Sequence, residues 1–315
     1  MHGDLVLFTG NANPELANRV SQFLDIPLSV ALISRYSDGE IRVELESSVR
    51  GKDVFVIQPT CYPANENIME LLIMIDALKR ASAERITAVI PYYGYGRQER
   101  RNTRTPISAK LVADLLETAG INRIITMELH TLSVAGFFNV PIDHLLSKTV
   151  FYHRLSKLNL ENMVIVSPDT GGVERARSLA RLFNCELAFI DKRRDHPGVS
   201  KVMRLVGDVR DKTVVIFDDI CDTGSSLIQA SEVIYENGGK EIYAAITHPV
   251  FSDVTAQKLE ESYIQKIFVT DSIPLQVDMS DYSRIEVLSV AEFIGKAILG
   301  VHGTDTTDNL DSIMI

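Results

Sequence analysis

The segment Thr213–Ser226 reads TVVIFDDICDTGSS and joins an apolar run, an acidic pair and a short loop of small residues. Its first five residues are β-branched or aromatic, which is typical of a buried strand in a parallel sheet. Residues 227–235 then have helical spacing and are followed by an Asn-Gly-Gly sequence, a common signal at a helix C-terminus. The segment therefore predicts a strand, a loop and a helix in that order.

The loop at Asp222–Ser226 contains the residue types that a phosphate-binding backbone requires. Gly224 can turn successive N–H groups inward, the two serines add hydroxyl donors, and the helix N-terminus adds partial positive charge. Asp218 and Asp219 suit sugar hydroxyls instead, since a carboxylate accepts their hydrogen bonds. An ordinary strand-to-helix turn with an acidic N-cap is the alternative. We favour a binding site because open α/β sheets bind ligands at the C-terminal ends of their strands.

The bulk composition limits the classes of protein that fit. The length of 315 residues suits two domains of ordinary size, and a hydrophobic content of 45% supports a core. The net charge of −10 argues against nucleic acid or an anionic membrane as a partner. Three scattered cysteines favour a reduced cytoplasmic protein over a disulfide framework. The chain shows no signal-peptide pattern and no uncharged apolar stretch of membrane-spanning length, so we expect neither.

Strand-like and helix-like segments alternate along the whole chain. This alternation predicts an α/β fold with mainly parallel sheets flanked by helices. The pattern starts again at about residue 147, after a junction that we place near residues 140–147. We therefore predict two similar domains, at residues 1–145 and 146–315, which a diverged duplication would explain.

A basic run follows a predicted strand in the first domain. Four arginines occur within eight residues, after a turn rich in tyrosine and glycine: Arg97, Arg100, Arg101 and Arg104. Arginine forks suit phosphates, and Tyr92, Tyr93 and Tyr95 are candidates to pack beside a nucleotide base. A solvated basic turn is the alternative, but in a chain of net charge −10 we favour polyphosphate binding.

Two further segments of the second domain follow predicted strands. Asp169 follows a strand at 163–167 and is either a magnesium ligand, as a hard anionic oxygen donor, or a cap for the helix from Gly172 onward. Residues 191–198 are rich in charge, proline and glycine, which indicates either a mobile basic loop that closes over a phosphate site or an ordinary surface loop. No G-x-x-x-x-G-K-[ST] motif occurs, so a Walker-type nucleotide site is excluded.

Several motifs, in the same order, make the chain resemble the bacterial ribose-phosphate pyrophosphokinases, also called PRPP synthetases. The segment at 213–226 resembles their D-D-x-x-D-T-G-G-T signature, with Gly-Ser-Ser in place of Gly-Gly-Thr. The other matching motifs are Ser37–Glu40, Arg97-Gln98, Pro106–Ala113, Ser167–Val173 and Lys192–Arg194. His130 matches a histidine that helps that family to bind magnesium nucleotide, whereas Glu128 and Asn139 stand where the family usually has aspartate.

The resemblance implies two phosphoribosyltransferase-like domains and a ribose-phosphate diphosphokinase that uses Mg²⁺. Its substrates would be ATP and ribose 5-phosphate, and its products AMP and 5-phosphoribosyl 1-pyrophosphate for nucleotide biosynthesis. It also implies a homohexamer under allosteric control, with active sites near subunit interfaces. The catalytic residues would be Lys192 and Arg194, and the magnesium ligands His130 and Asp169. ATP would bind at Asp38, Gly39, Glu40, Arg97 and Gln98. Ribose 5-phosphate would bind at Arg194, Asp218, Asp219, Asp222, Thr223, Gly224, Ser225 and Ser226.

Two other functions stay open at this point. A phosphoribosyltransferase would consume PRPP, but it would leave the first domain and the segment around Arg97 unexplained. A catalytically silent subunit that regulates a true synthetase is the second alternative. Such a subunit would be expected to lose or interrupt the lysine loop, and Lys192 and Arg194 are both present.

Overall fold

The computed structural model describes residues 3–101, 103–193, 202–252, 254–276 and 281–303. The chain forms two compact units. The first contains Met1–Leu146, Ser272–Pro274 and the segment from Ser289, and the second contains Ser147–Asp271 and Leu275–Leu288. The predicted α/β fold with mainly parallel sheets is confirmed.

The first unit follows the predicted alternation closely. Its elements up to the junction are β1 (Leu5–Thr9), α1 (Pro14–Leu24), β2 (Ala31–Arg35), β3 (Ile41–Leu45), β4 (Asp53–Ile57), α2 (Ala64–Arg80), β5 (Arg85–Ile90), α3 (Ser108–Ala119), β6 (Arg123–Met127), a 3-10 helix (Leu132–Phe137) and β7 (Ile142–Leu145). Five parallel strands form one sheet in the order β1-β4-β5-β6-β7, and β2 and β3 form a separate antiparallel hairpin.

The second unit is built around a larger sheet. Its elements are α4 (Lys148–Leu155), a 3-10 helix (Ser156–Leu158), β8 (Met163–Ser167), α5 (Val173–Phe183), β9 (Glu186–Arg193), β10 (Val202–Val206), β11 (Thr213–Cys221), α6 (Ser225–Glu236), β12 (Glu241–Pro249), α7 (Thr255–Glu260), β13 (Lys266–Thr270) and β14 (Ile285–Leu288). The strand order is β10-β9-β8-β11-β12-β13-β14, and only β10 is antiparallel to its neighbour.

The strand order places a topological switch point between β8 and β11. From β8 the chain moves to β9 on one side, and from β11 it moves to β12 on the other. Ligands of open α/β sheets bind outside the C-terminal strand ends at such a point. The residues just after β8 and at the end of β11 therefore occupy the expected ligand-binding edge of this sheet.

The two units divide after Leu146, within the junction predicted near residues 140–147, but part of that junction forms a strand that the prediction lacked. Ile142–Leu145 forms β7, which pairs with β6 as the edge strand of the first sheet. The strand is short and carries Asp143 and His144, so its apolar pattern is weak. Asp143 is held there by Arg123, whose Nη1 donates to its carboxylate at 2.6 Å.

The end of the chain also departs from the predicted division at residue 146. Helix α8 (Ala291–His302) belongs to the first unit, where it packs against α1. Arg85 donates to the carbonyl of Val301 at 2.9 Å, and the Nδ1 atom of His302 lies 2.7 Å from the buried carboxylate of Asp53. Residues 289–303 therefore complete the first unit rather than the second. Within the ranges given above, no helix is both long and apolar enough to cross a membrane.

Candidate functional site

Strand β11 extends beyond its predicted end at Phe217. It runs to Cys221 and pairs with β12 along that extension. Asp218 and Asp219 are therefore strand residues at the C-terminal edge of the sheet, rather than residues of a loop. The side chain of Asp219 is almost fully buried, and that of Asp218 is mostly buried.

One arginine joins this acidic pair to helix α5. The Nη1 atom of Arg175 lies 3.0 Å from Oδ1 of Asp219 and 3.4 Å from Oδ1 of Asp218. Asp218 also accepts a hydrogen bond from the backbone N–H of Asp219 at 2.9 Å. Burial raises the pKa of Asp218 well above its ordinary value; the charge of Asp219 raises it further, and Arg175 opposes both effects.

Gly172 leaves the space through which Arg175 reaches the pair. A Cβ atom at this position would lie 2.7 Å from the hydroxyl of Ser167 and 3.5 Å from Nη1 of Arg175. It would also lie 3.7 Å from Oδ1 of Asp218. The end of β8, the turn after it and the end of β11 thus meet around a single glycine.

The predicted phosphate loop lies at the N-terminus of helix α6. The helix begins at Ser225, two residues before its predicted start, and Gly224 caps it in the left-handed region at φ 73°. Its first intrahelical bond in this turn runs from Ile228 N–H to the carbonyl of Gly224, so the preceding N–H groups are not bonded within the helix. No side chain in the described part of the chain caps this helix end. This geometry is suited to an anion.

The carbonyl of Asp222 anchors the loop to the start of helix α7. It accepts hydrogen bonds from Thr255 Oγ1 at 2.8 Å and from Ser252 N–H at 3.2 Å. The hydroxyls of Thr223 and Ser225, both exposed, lie 3.1 Å apart, and Ser226 is also exposed. The backbone of the loop is therefore held by the residues that begin α7, while its hydroxyl groups remain exposed to solvent.

Asp169 caps its own turn. Its Oδ1 atom accepts hydrogen bonds from the N–H groups of Gly171 at 2.9 Å and Gly172 at 3.1 Å. These bonds close the turn before α5, whose own N-terminus has no side-chain cap among the described residues, so the predicted helix cap is not observed and a role in holding magnesium remains a prediction. The carboxylate still suits that ion, because it is a hard oxygen donor at the switch point of the sheet.

The predicted catalytic loop is only partly described. Strand β9 continues to Arg193 and pairs with β10, so Asp191 and Lys192 lie in a strand and not in a mobile loop. Lys192 is half-buried opposite Met203 in the ladder. Arg194, the second predicted catalytic residue, lies outside the described residues, as does the rest of the predicted loop.

Arg97 and Gln98 are exposed at the end of a largely buried segment in the first unit, Pro91–Gln98, which we call the nucleotide loop after the role that the sequence predicts for it. Gln98 accepts a hydrogen bond from Ser108 Oγ at 2.6 Å, and its carbonyl accepts one from Ala109 N–H at 3.2 Å. Helix α3 therefore fixes the position of Gln98, and residues 91–94 at the start of the loop are buried.

The two buried tyrosines of this loop are structural, contrary to the prediction that they pack beside a base, whereas for the half-exposed Tyr95 that role stays a prediction. Tyr92 and Tyr93 are buried, and the hydroxyl of Tyr93 donates to the carbonyl of Ala109 at 2.8 Å. Tyr95 donates to Asn65 Oδ1 at 2.5 Å. The phenol group of a buried tyrosine needs a hydrogen-bond partner inside the protein, and for Tyr93 that partner is the carbonyl of Ala109.

The segment Asp38–Glu40 forms the tip of the β2–β3 hairpin. Gly39 adopts φ 95°, its N–H donates to the carbonyl of Tyr36 at 3.0 Å, and Glu40 N–H donates to Oδ1 of Asp38 at 3.1 Å. All three residues of the tip are exposed. The predicted hairpin turn is thus present, and its role in nucleotide binding stays a prediction.

His130 is exposed in the first unit, whereas Asp169 belongs to the second. Among the residues that the structure describes, no group of three or more His, Cys, Asp or Glu side chains could hold a metal ion. Glu128 is buried with φ 40°, and Asn139 donates through Nδ2 to Glu117 at 2.8 Å. An aspartate at 139 could not make that contact without bringing two carboxylates together.

Sequence reasoning missed Arg175, Gly172 and Thr60. Arg175 looks like one of several charged residues on an amphipathic helix, and only the approach of α5 to β11 reveals its partners. Gly172 offered a weak signal, because a glycine directly before a helix often marks a close approach. Thr60, which is fully buried, accepts from Gly94 N–H at 2.7 Å and supports the nucleotide loop.

Comparison with known proteins gives a consistent result over the whole chain. Residues 5–120 match the family model described as the N-terminal domain of ribose phosphate pyrophosphokinase, and residues 141–283 match the phosphoribosyl transferase domain. The chain is 49% identical over 311 residues to a ribose-phosphate pyrophosphokinase of Burkholderia pseudomallei, covering 98% of each chain. It is 49% identical over 299 residues to that of Haemophilus influenzae, covering 94% of this chain and 95% of the relative. The crystal structure of phosphoribosylpyrophosphate synthetase from Mycobacterium smegmatis has a TM-score of 0.89 and 41% identity, covering 95% of this chain and 99% of that one.

Proposed function

The chain belongs to the ribose-phosphate pyrophosphokinase family, and we propose that it transfers the β,γ-pyrophosphoryl group of ATP to the 1-hydroxyl of ribose 5-phosphate. The predicted family and enzyme class, a diphosphotransferase, are confirmed by relatives that match along almost the whole length. The substrates, the metal, the cytoplasmic location and the hexamer belong to the proposal.

The observation that carries the proposal is the edge of the second sheet. A helix N-terminus at Ser225 that no side chain caps follows a buried carboxylate pair, Asp218 and Asp219, within one continuous segment of the described chain. This spacing suits a sugar phosphate, because the helix end binds the 5-phosphate while the carboxylates accept hydrogen bonds from ring hydroxyls. A free phosphate would gain nothing from the carboxylates.

The nucleotide is assigned to the first unit. Arg97 supplies a guanidinium for the phosphates, and Gln98 is held in place by helix α3. The hairpin tip Asp38–Glu40 is assigned to a nucleotide bound by a neighbouring subunit, following the family resemblance. The fixed geometry of the nucleotide loop supports the assignment of Arg97 and Gln98 to the nucleotide, because phosphoryl-type transfer depends on positioning.

The reaction moves one pyrophosphoryl group and replaces one phosphorus–oxygen bond by another. The anomeric hydroxyl oxygen attacks the β-phosphorus of ATP, the bond from that phosphorus to the α,β-bridging oxygen breaks, and AMP leaves with the oxygen. The hydroxyl proton is released to solvent. Lys192 and Arg194 are assigned to the charge that develops on the transferred group.

Magnesium, when bound to the nucleotide, would neutralise phosphate charge and orient the transferred group. Asp169 and His130 are the residues that we assign to it. Asp169 fits as an oxygen donor, and the nucleotide phosphates and water would supply most of the remaining ligands, as is usual for Mg²⁺. The protein itself contributes the positively charged side chains and the loops that we assign to the two substrates.

The direct test is incubation of the purified protein with ATP, Mg²⁺ and ribose 5-phosphate, followed by quantification of AMP and PRPP. We expect equal amounts of both products, and their loss in Lys192→Ala. Absence of AMP at every magnesium and phosphate concentration would refute the proposal. Consumption of added PRPP with a base would then indicate a phosphoribosyltransferase, and failure of both reactions a regulatory subunit.

A further inference from the structure

Arg175 has no role in the reaction proposed above, yet it contacts both carboxylates of the acidic pair. A single nitrogen, Nη1, lies within 3.0 Å of Asp219 Oδ1 and 3.4 Å of Asp218 Oδ1. The arginine side chain is mostly buried, with 13% exposed. It is thus a fixed component of the ligand-binding edge and not a mobile surface charge.

Two adjacent carboxylates at this depth repel each other and are poorly solvated. Without a counter-ion, one of the two would take up a proton and become a hydrogen-bond donor as well as an acceptor. It would then suit a sugar hydroxyl less well, because the hydroxyl donates best to an ionised carboxylate. A cation placed between the two oxygens removes this problem.

The local backbone is arranged to allow that placement. Arg175 starts from the first turn of α5, and the missing side chain at Gly172 leaves its guanidinium room to reach β11. The half-exposed arginine of the next turn, Arg177, contacts only Glu174 on its own helix among the ion pairs of the described residues. The two arginines, two positions apart, therefore provide a matched pair for experiment.

We propose that Arg175 is a positioning residue for ribose 5-phosphate, which holds Asp218 and Asp219 in place and keeps them ionised so that they accept hydrogen bonds from the sugar hydroxyls. This inference deepens the proposed function and rests on it, since it assigns the acidic pair to the sugar. It predicts that Arg175 acts through the carboxylates and makes no contact of its own with the substrate phosphate.

The groups that influence the charge of Asp218 are Asp219 on its own strand, Arg175 on α5, Asp169 in the turn after β8, and Cys221 at the end of β11. Of these, only Arg175 is positive. Its removal should therefore shift the acidic limb of sugar binding to higher pH, whereas a loss of packing alone would weaken binding equally at every pH.

The experiment measures ribose 5-phosphate binding by calorimetry between pH 5.5 and 9 for wild type, Arg175→Met, Arg175→Lys and Arg177→Met. For Arg175→Met we expect affinity about ten-fold lower at pH 7 and partial recovery at pH 9. Arg175→Lys should keep much of the affinity, and Arg177→Met should bind as wild type does. Circular dichroism verifies that each variant is folded.

A double-mutant cycle with Asp219→Asn separates the possible causes. If Arg175 acts through the pair, Arg175→Met should cost much less affinity in the Asp219→Asn background. Equal losses in both backgrounds, or a loss independent of pH, would overturn the inference while leaving the proposed function intact. A wild-type protein that binds no ribose 5-phosphate and forms no PRPP would instead refute the proposed function, and the inference with it.

Discussion

The hydroxyl of Thr60 accepts a hydrogen bond from the N–H of Gly94 at 2.7 Å and donates one to the carbonyl of Tyr92 at 3.1 Å. The residue lies just beyond β4, and the two partners belong to the nucleotide loop, just beyond β5. The carboxyl ends of two neighbouring strands are thus joined by one buried side chain. This contact fixes the loop that ends in Arg97 and Gln98.

Gly94→Ala should therefore weaken nucleotide binding. A Cβ at this position would lie 2.2 Å from the carbonyl oxygen of Thr60, so the loop would have to move. We expect the KM for ATP to rise about ten-fold, in line with the large effect of small displacements, while the KM for ribose 5-phosphate changes little. Gly136→Ala is the control, because a Cβ there meets no atom within 4 Å. Equal ATP kinetics in the two variants would contradict this view of the loop.

Gly224→Ala should impair ribose 5-phosphate binding. The glycine adopts φ 73°, and a Cβ would lie 3.1 Å from Cγ2 of Thr255. We expect the backbone strain to lower the free energy of unfolding by about 1–2 kcal/mol. Because the helix N-terminus is also displaced, the KM for ribose 5-phosphate should rise. Gly51→Ala carries similar strain at φ 66° but meets no atom within 4 Å, so it should lower the melting temperature without changing the KM for ribose 5-phosphate.

Asp218→Asn should stabilise the protein at alkaline pH. The pKa of Asp218 is raised above the ordinary value of 3.8, chiefly by burial and then by Asp219. Between that ordinary value and the raised pKa, the folded protein binds more protons than the unfolded chain, so this group contributes more stability as the pH falls. Above the raised pKa the ionised group costs stability, and asparagine removes that cost.

The gain in melting temperature for Asp218→Asn should accordingly be larger at pH 8 than at pH 5. Asp208→Asn is the contrasting variant, because the Arg210 N–H lowers the pKa of that exposed carboxylate. It should lose a little stability at pH 8. A gain for Asp218→Asn that does not vary with pH would show that charge burial is not its cause.

Arg85→Met should destabilise the first unit strongly. The buried carboxylate of Asp53 accepts from Arg85 Nε at 2.7 Å and also contacts Arg85 Nη2 and His302. Loss of the guanidinium would leave this carboxylate poorly compensated, at a cost of about 3–5 kcal/mol in the free energy of unfolding. Arg80→Met, which removes an exposed i,i+4 pair with Asp76, should change the free energy of unfolding very little, because water and salt screen such a pair. Urea unfolding of both variants measures the difference.

The strands that form the two sheets could be predicted because they are apolar runs with clear breaks between them. Strand β7 could not, since its two polar residues depend on partners elsewhere: Arg123 for Asp143 and Leu129 N–H for His144. The assignment of α8 to the first unit rests on contacts between residues more than two hundred positions apart. No local pattern predicts such contacts.

The candidate site also contains features that a local sequence pattern predicts and features that depend on distant contacts. The loop at Asp222–Ser226 and the acidic pair have a local signature, and their local geometry agrees with it. The arrangement of Arg175 depends on which helix approaches β11, and the orientation of Tyr93 depends on the carbonyl of Ala109, which accepts its hydroxyl. A sequence pattern identifies residue types that suit phosphate or sugar, but it does not tell which aromatic ring points inward.

The most direct measurement follows the β- and γ-phosphates of ATP as one unit. Purified protein is incubated with Mg²⁺, ribose 5-phosphate and ATP labelled with ³²P at either the α or the γ position. The proposed reaction predicts that α-label appears only in AMP and that γ-label appears only in PRPP, in equal molar amounts. Release of γ-label as inorganic phosphate with formation of ADP, or no transfer of γ-label to the sugar, would contradict the proposed pyrophosphoryl transfer.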